Sequence, residues 1–74
     1  MTVEITIEKI ERETDKAILV ACEVESAAGR YGRKIWFPKS RSNVEGKTLV
    51  VEDWLANAKL RDLFGDKWMM FWFN

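Results

Sequence analysis

Val3, Ile5 and Ile7 alternate with Glu4, Thr6 and Glu8. A period of two puts the apolar side chains on one side of an extended chain and the polar ones in water, which a helix does not do. The chain therefore opens on a strand with one buried face, and a strand needs neighbours. Ala17 to Val24 supplies one, with Ile18, Val20, Cys22 and Val24 on one side and Leu19 and Ala21 on the other. Apolar residues on both faces of its middle mark this second strand as central, or as lying inside a curled sheet. Between the two, Glu11 to Lys16 is a polar interruption. Ser26 to Gly32 reads as a turn, with Gly29 and Gly32 flanking Arg30 and Tyr31, and Arg33 to Pro38 returns as a third strand to make a hairpin. Pro38 holds Phe37 extended and has no N–H to donate, so this strand ends or reaches a sheet edge there.

Lys39 to Lys47 reads as a polar loop, and Thr48 to Val51 as a short β-branched segment able to pair back on the third strand. A helix is predicted from Asp53 to Phe64. Its first turn carries acidic side chains suited to the positive end of the helix dipole, and Gly65 is placed to end it. At 100° per residue Ala56, Leu60, Leu63 and Phe64 share one side, whereas Trp54, Leu55 and Ala58 lie on another. Trp68 to Phe73 then reads as a last strand, with Trp68, Met70 and Trp72 opposite Met69, Phe71 and Phe73 and no polar face at all. Such a strand is either a core strand or an edge that pairs with another chain. Residues 1–74 are thus expected to form one α+β domain in the order β-β-β-β-α-β. Its sheet is a small curved antiparallel one or a partly open barrel, with one helix packed on it.

Composition narrows what such a domain does. A chain of 74 residues buries only about 60% of its unfolded surface, which leaves little room for a deep catalytic cleft beside a core. Histidine is absent, which removes the commonest general base, the Ser-His and Cys-His nucleophile systems and most zinc sites. The acidic residues Glu4, Glu8, Glu11 and Glu13 have no histidine or cysteine at ligand spacing, so no metal or cofactor is expected. Cys22 is single and has no internal disulfide partner, and its alternation with apolar neighbours reads as a small buried hydrophobe in a reducing compartment. The first residues lack the basic and apolar regions of a signal peptide, and the longest apolar run is too short to cross a bilayer. A cytoplasmic protein without enzymatic activity is the expectation.

Twelve basic and twelve acidic residues cancel, but not locally. Residues 1–29 hold three basic and seven acidic side chains, whereas residues 30–47 hold six basic and one acidic. The basic middle is interleaved with aromatics. Arg30, Tyr31, Arg33, Lys34, Trp36, Lys39 and Arg41 together have the ingredients of a single-strand nucleic-acid site, in which cations follow phosphates and rings stack on bases. The competing assignment makes Trp36 and Phe37 strand residues and lets the cations solvate a hairpin facing the acidic first strand.

Three short segments carry a resemblance: Thr14-Asp15-Lys16-Ala17-Ile18-Leu19, Ile35-Trp36-Phe37-Pro38-Lys39-Ser40 and Trp54-Leu55-Ala56. They resemble a T-E-K-A-I-L opening, a W-I-P-K-S strand end and a W-L-A helix start found in small uncharacterised proteins of bacteriophages and other mobile elements. Phe37 and Arg41 depart from that pattern, and the aromatic tail after Gly65 has no counterpart in it. The resemblance implies an accessory protein of a phage, acting in a host cytoplasm, and it brings no active site with it. The expected function is stoichiometric binding of a host or phage protein, such as a component of a defence system. Trp54, Leu55, Ala58 and Trp72 are the candidate partner-binding residues, and a homodimer through the same apolar surface is expected as well. The single-stranded nucleic-acid site on residues 30–47 is the alternative.

Overall fold

The computed structural model describes all residues, Met1–Asn74. Six strands and one helix form a small α+β domain: β1 (Thr2–Glu13), β2 (Ala17–Ser26), β3 (Gly29–Pro38), β4 (Ser42–Glu45), β5 (Thr48–Glu52), α1 (Asp53–Phe64) and β6 (Phe71–Phe73). Short 3-10 turns cover Lys39–Arg41 and Gly65–Met70. The antiparallel sheet runs β3-β2-β1-β5-β4, and β6 pairs with β2 off that path. It does not close into a barrel.

β1 serves two partners. Thr2 to Thr6 pair with β5, and Ile7 to Glu13 pair with β2. Irregularities between Ile7 and Lys9 and between Ile10 and Arg12 shift its register against β2, which bends and twists a strand locally. Where β1 turns away, β2 would lose a neighbour along Val24 to Ser26, and β6 takes that place. Asn74 ties the fork: Thr6 N–H donates to its carbonyl at 2.7 Å, and its own N–H donates to Glu23 O at 3.3 Å.

Period-two alternation fills the core as the sequence requires. Ile5, Ile7, Ile18, Val20, Cys22, Val24, Ile35, Phe37, Leu49 and Val51 are buried from the sheet, joined by Leu55, Ala56 and Leu60 from α1. No polar residue is among them. The helix begins where predicted, its first N–H (Asp53) donating to Met1 O at 2.9 Å. It ends where Gly65 adopts φ 60°, a left-handed value that glycine accepts without strain.

Four expectations are corrected. Strands number six because Ser42–Glu45, read as loop, pairs with β5 as β4. The segment Thr48–Glu52 pairs with β1 and β4 and not with β3, since β1 offers a matching alternating face at its amino end. The polar stretch Glu11–Glu13 continues β1, with Arg12 opposite Leu19 and Glu13 opposite Ile18 and both exposed. The aromatic tail is not one strand: residues 65–70 turn, and only Phe71–Phe73 extend.

Candidate functional site

The seven residues of the basic hairpin do not converge on one face. Along β3, Tyr31 and Arg33 stand opposite Val24 and Cys22 and face inward, whereas Arg30, Lys34 and Trp36 stand opposite Glu25, Ala21 and Leu19 on the outer face. Lys39 and Arg41 lie beyond Pro38 in the turn that follows. Three of the five cations already have carboxylate partners: Arg30 Nε lies 2.9 Å from Glu25, Lys34 Nζ 3.5 Å from Glu11, and Lys39 Nζ 2.6 Å from Glu13. Glu11 is shared, because Lys9 Nζ also reaches it at 3.1 Å. That hydrogen bond from Lys9, reinforced by the charge of Lys34, holds the Glu11 carboxyl below the usual glutamate value against an opposing desolvation effect.

Arg33 is occupied differently. Its guanidinium carbon stands 5.6 Å from the Tyr31 ring centre and 5.8 Å from that of Phe64, and Nη1 donates to Gly32 O at 2.8 Å. The Phe64 ring stacks parallel on Phe71 at 3.6 Å, and Phe71 meets Tyr31 at 6.0 Å. This aromatic and cation cluster joins the end of α1 to β6 and to the hairpin, so Tyr31 and Arg33 serve as packing groups. Of the hairpin aromatics, Trp36 remains on the surface at 39% exposure.

On the helix the candidates separate. Leu55 is 7% exposed and belongs to the core with Ala56 and Leu60, so it is withdrawn from any contact surface. The helix seats on the sheet through an arc that includes residue 55, which corrects its expected grouping with Trp54. Trp54 is 52% exposed, and the 3.6-residue repeat lines it up with Ala58 and Arg61 on the side of α1 away from the core. Arg61 in turn covers the Trp68 ring at 5.1 Å, which carries the row from α1 into the following turn. Leu63, expected on the core side, is exposed at its margin.

Trp72 is 50% exposed on the outer side of β6 opposite Glu25, while Phe71 and Phe73 on either side of it turn inward. Met69 and Met70 in the preceding turn are exposed as well. Trp72 borders two openings. One, of about 500 Å³, lies between the hairpin tip at Ser26–Ala28 and Lys67, Met70 and Phe71. The other, of about 200 Å³, lies between Val3 and Glu4 of β1 and Ala56, Asn57 and Leu60 of α1. Sequence reasoning singled out Trp54 and Trp72 but not Met69, Met70 or Lys67. The signal for the methionines was the same apolar run, which a turn exposes and a strand would have half-buried.

Cys22 is buried, and loss of water contact together with the charge of Glu8 pushes its thiol up to about 11. A thiol in that state is a poor nucleophile at neutral pH. No three His, Cys, Asp or Glu side chains come together as a metal-binding group. No helix is long and apolar enough to cross a membrane. No family model, curated protein or solved structure matches the chain.

Proposed function

We propose that this chain is a non-enzymatic accessory protein of the phage type that works by binding a protein of the host or of the phage, such as a defence-system component, and modulating it stoichiometrically. The observation that carries the reading is Trp54, half-exposed on the side of α1 opposite the core and in line with Ala58 and Arg61. Tryptophan and arginine dominate the energetics of protein interfaces, and a large ring left in water on a rigid helix is an anchor already in position. Trp72, Met69 and Met70 supply further exposed apolar surface on the carboxyl-terminal segment. Zero net charge and the dispersal of the hairpin cations weigh in the same direction. The test is capture from a bacterial lysate by the wild type and by Trp54→Ala, with partners identified by mass spectrometry. Specific capture that Trp54→Ala removes while leaving the unfolding transition unchanged supports the reading; capture indifferent to Trp54 and Trp72 refutes it.

A second reading, single-stranded nucleic-acid binding, is favoured by one arrangement: Trp36 shares the outer face of β3 with Lys34 and Arg30. It requires oligonucleotide affinity that falls steeply with salt. Lys34→Glu would weaken that affinity, and Trp36→Ala would remove a stacking contribution of about 1–3 kcal/mol.

A further inference from the structure

β3 has ten residues and one strand neighbour, β2. Its pairing with β2 runs from Gly29 opposite Ser26 to Pro38 opposite Ala17 without a bulge. The phase of that ladder is fixed at its end, where Lys39 N–H donates to Lys16 O at 2.8 Å. Antiparallel ladders alternate, so odd-numbered residues of β3 exchange hydrogen bonds with β2 and even-numbered residues direct theirs the other way. The N–H groups of Arg30, Gly32, Lys34 and Trp36 therefore point to the open side, as do their carbonyls and that of Pro38. One of these carbonyls, Gly32 O, already accepts a hydrogen bond from the Arg33 side chain.

We propose that this open edge of β3 accepts, by strand addition, an extended acidic segment of a partner protein. Charge selects the occupant. From Gly29 to Val44 the chain holds Arg30, Arg33, Lys34, Lys39 and Arg41 and no acidic residue. The outer-face side chains of the edge include Arg30 and Lys34, both largely exposed although each also reaches a partly buried carboxylate, Glu25 and Glu11. The inner-face side chains are Tyr31, Arg33, Ile35 and Phe37, the last two buried in the core. A strand laid alongside meets Arg30 and Lys34 on one face and, on the other, Tyr31 with Arg33 stacked on it and the margin of Ile35, so the fitting segment alternates carboxylate and aliphatic side chains. A second copy of β3 is disfavoured as occupant, because antiparallel self-pairing brings Arg30 and Lys34 of both chains together on one face. Backbone hydrogen bonds supply affinity here and the cations supply selection. Trp54 lies on α1, away from this edge, and Trp72 stands across β2 from Arg30; the inference depends on neither.

The experiment is amide exchange of the full chain, read residue by residue by NMR. The probe is a capped peptide of about eight alternating Val and Glu residues at about 1 mM. The peptide slows exchange of Arg30, Gly32, Lys34 and Trp36 by about tenfold or more, while Tyr31, Arg33, Ile35 and Phe37, already bonded to β2, change little. The same peptide with alternate backbone nitrogens methylated has no effect, and a Val and Lys peptide has none either. Lys34→Pro, which removes an outward N–H and leaves the β2 ladder, abolishes the response, and Lys34→Ala weakens it. Unchanged exchange of the even-numbered amides, or equal protection by the lysine peptide, overturns the proposal. So does protection that grows with protein concentration before any peptide is added, since a second copy then occupies the edge. The methylated peptide keeps the test decisive if Lys34→Pro disturbs folding.

Discussion

Phe73→Ala and Trp72→Ala alter neighbouring residues of a three-residue strand and should behave oppositely. Phe73 packs against the core cluster and meets Phe37 edge-on at 6.4 Å. A fully buried Phe→Ala replacement costs about 3–5 kcal/mol, and the partial exposure of Phe73 reduces this to about 2–4 kcal/mol including the ring pair. A domain of this length holds about 4–11 kcal/mol in all, so the loss is a large share and lowers Tm by more than about 10 °C. Trp72 is half-exposed on the other face, and its truncation should cost less than about 1 kcal/mol. Urea denaturation followed by far-ultraviolet circular dichroism measures both without relying on the tryptophan signal. Equal destabilisation by the two variants, or a Phe73→Ala loss below about 1 kcal/mol, would refute the assignment of β6 as a strand with one inward face.

Leu55→Ala should destabilise by about 2–5 kcal/mol while Trp54→Ala changes stability little, a contrast that thermal denaturation decides and that equal losses would contradict. The native Cys22 thiol should resist a disulfide exchange reagent at pH 8 and react on unfolding; rapid native labelling would show the site to be open. Because folding raises the Cys22 pKa from 9.0 to about 11, the folded state retains the proton longer, and stability should fall as pH rises through that interval. Cys22→Ala should flatten that decline. The lowered Glu11 pKa acts at the other end of the scale: its stabilising contribution is present above the unfolded carboxyl value and disappears as pH falls through the folded one. Glu11→Gln should remove that part of the acid limb in a denaturation series, and an unchanged limb would mean that Lys9 and Lys34 contribute nothing through it.

What was legible in the sequence was whatever rests on local periodicity. Val3, Ile5 and Ile7 announce their face because water and oil alternate along them, and Asp53 to Gly65 carries its own start and stop signals. Pairing partners were less legible, since the preference of β5 for β1 over β3 depends on where the sheet bends. The polar strand β4 was missed because an edge strand with Ser42, Asn43 and Glu45 carries little hydrophobic signal. Trp54 was found as a surface candidate because a ring at a helix start stands out, but its neighbour Leu55 was grouped with it although the two point 100° apart. The tail failed for a related reason: Trp68 to Phe73 is apolar throughout, and a uniform run has no phase from which to read a turn.

The double allegiance of β1 also orders the assembly of the molecule in time. The ladders β2–β3 and β1–β2 each close over short connections, from Ser26 to Gly29 and from Glu13 to Ile18, whereas β1–β5 must join Thr6 to Thr48. Direct closure of that large loop is entropically unfavourable and slow. Once β1, β2 and β3 have zipped into a meander, Pro38 is already aligned with Ala17 and the span left to β5 shortens greatly. The three-strand meander is then the natural folding nucleus, and β5, α1 and β6 add to it. Mutations within the meander, such as Val20→Ala, should slow folding, and those in β6, such as Phe73→Ala, should chiefly hasten unfolding.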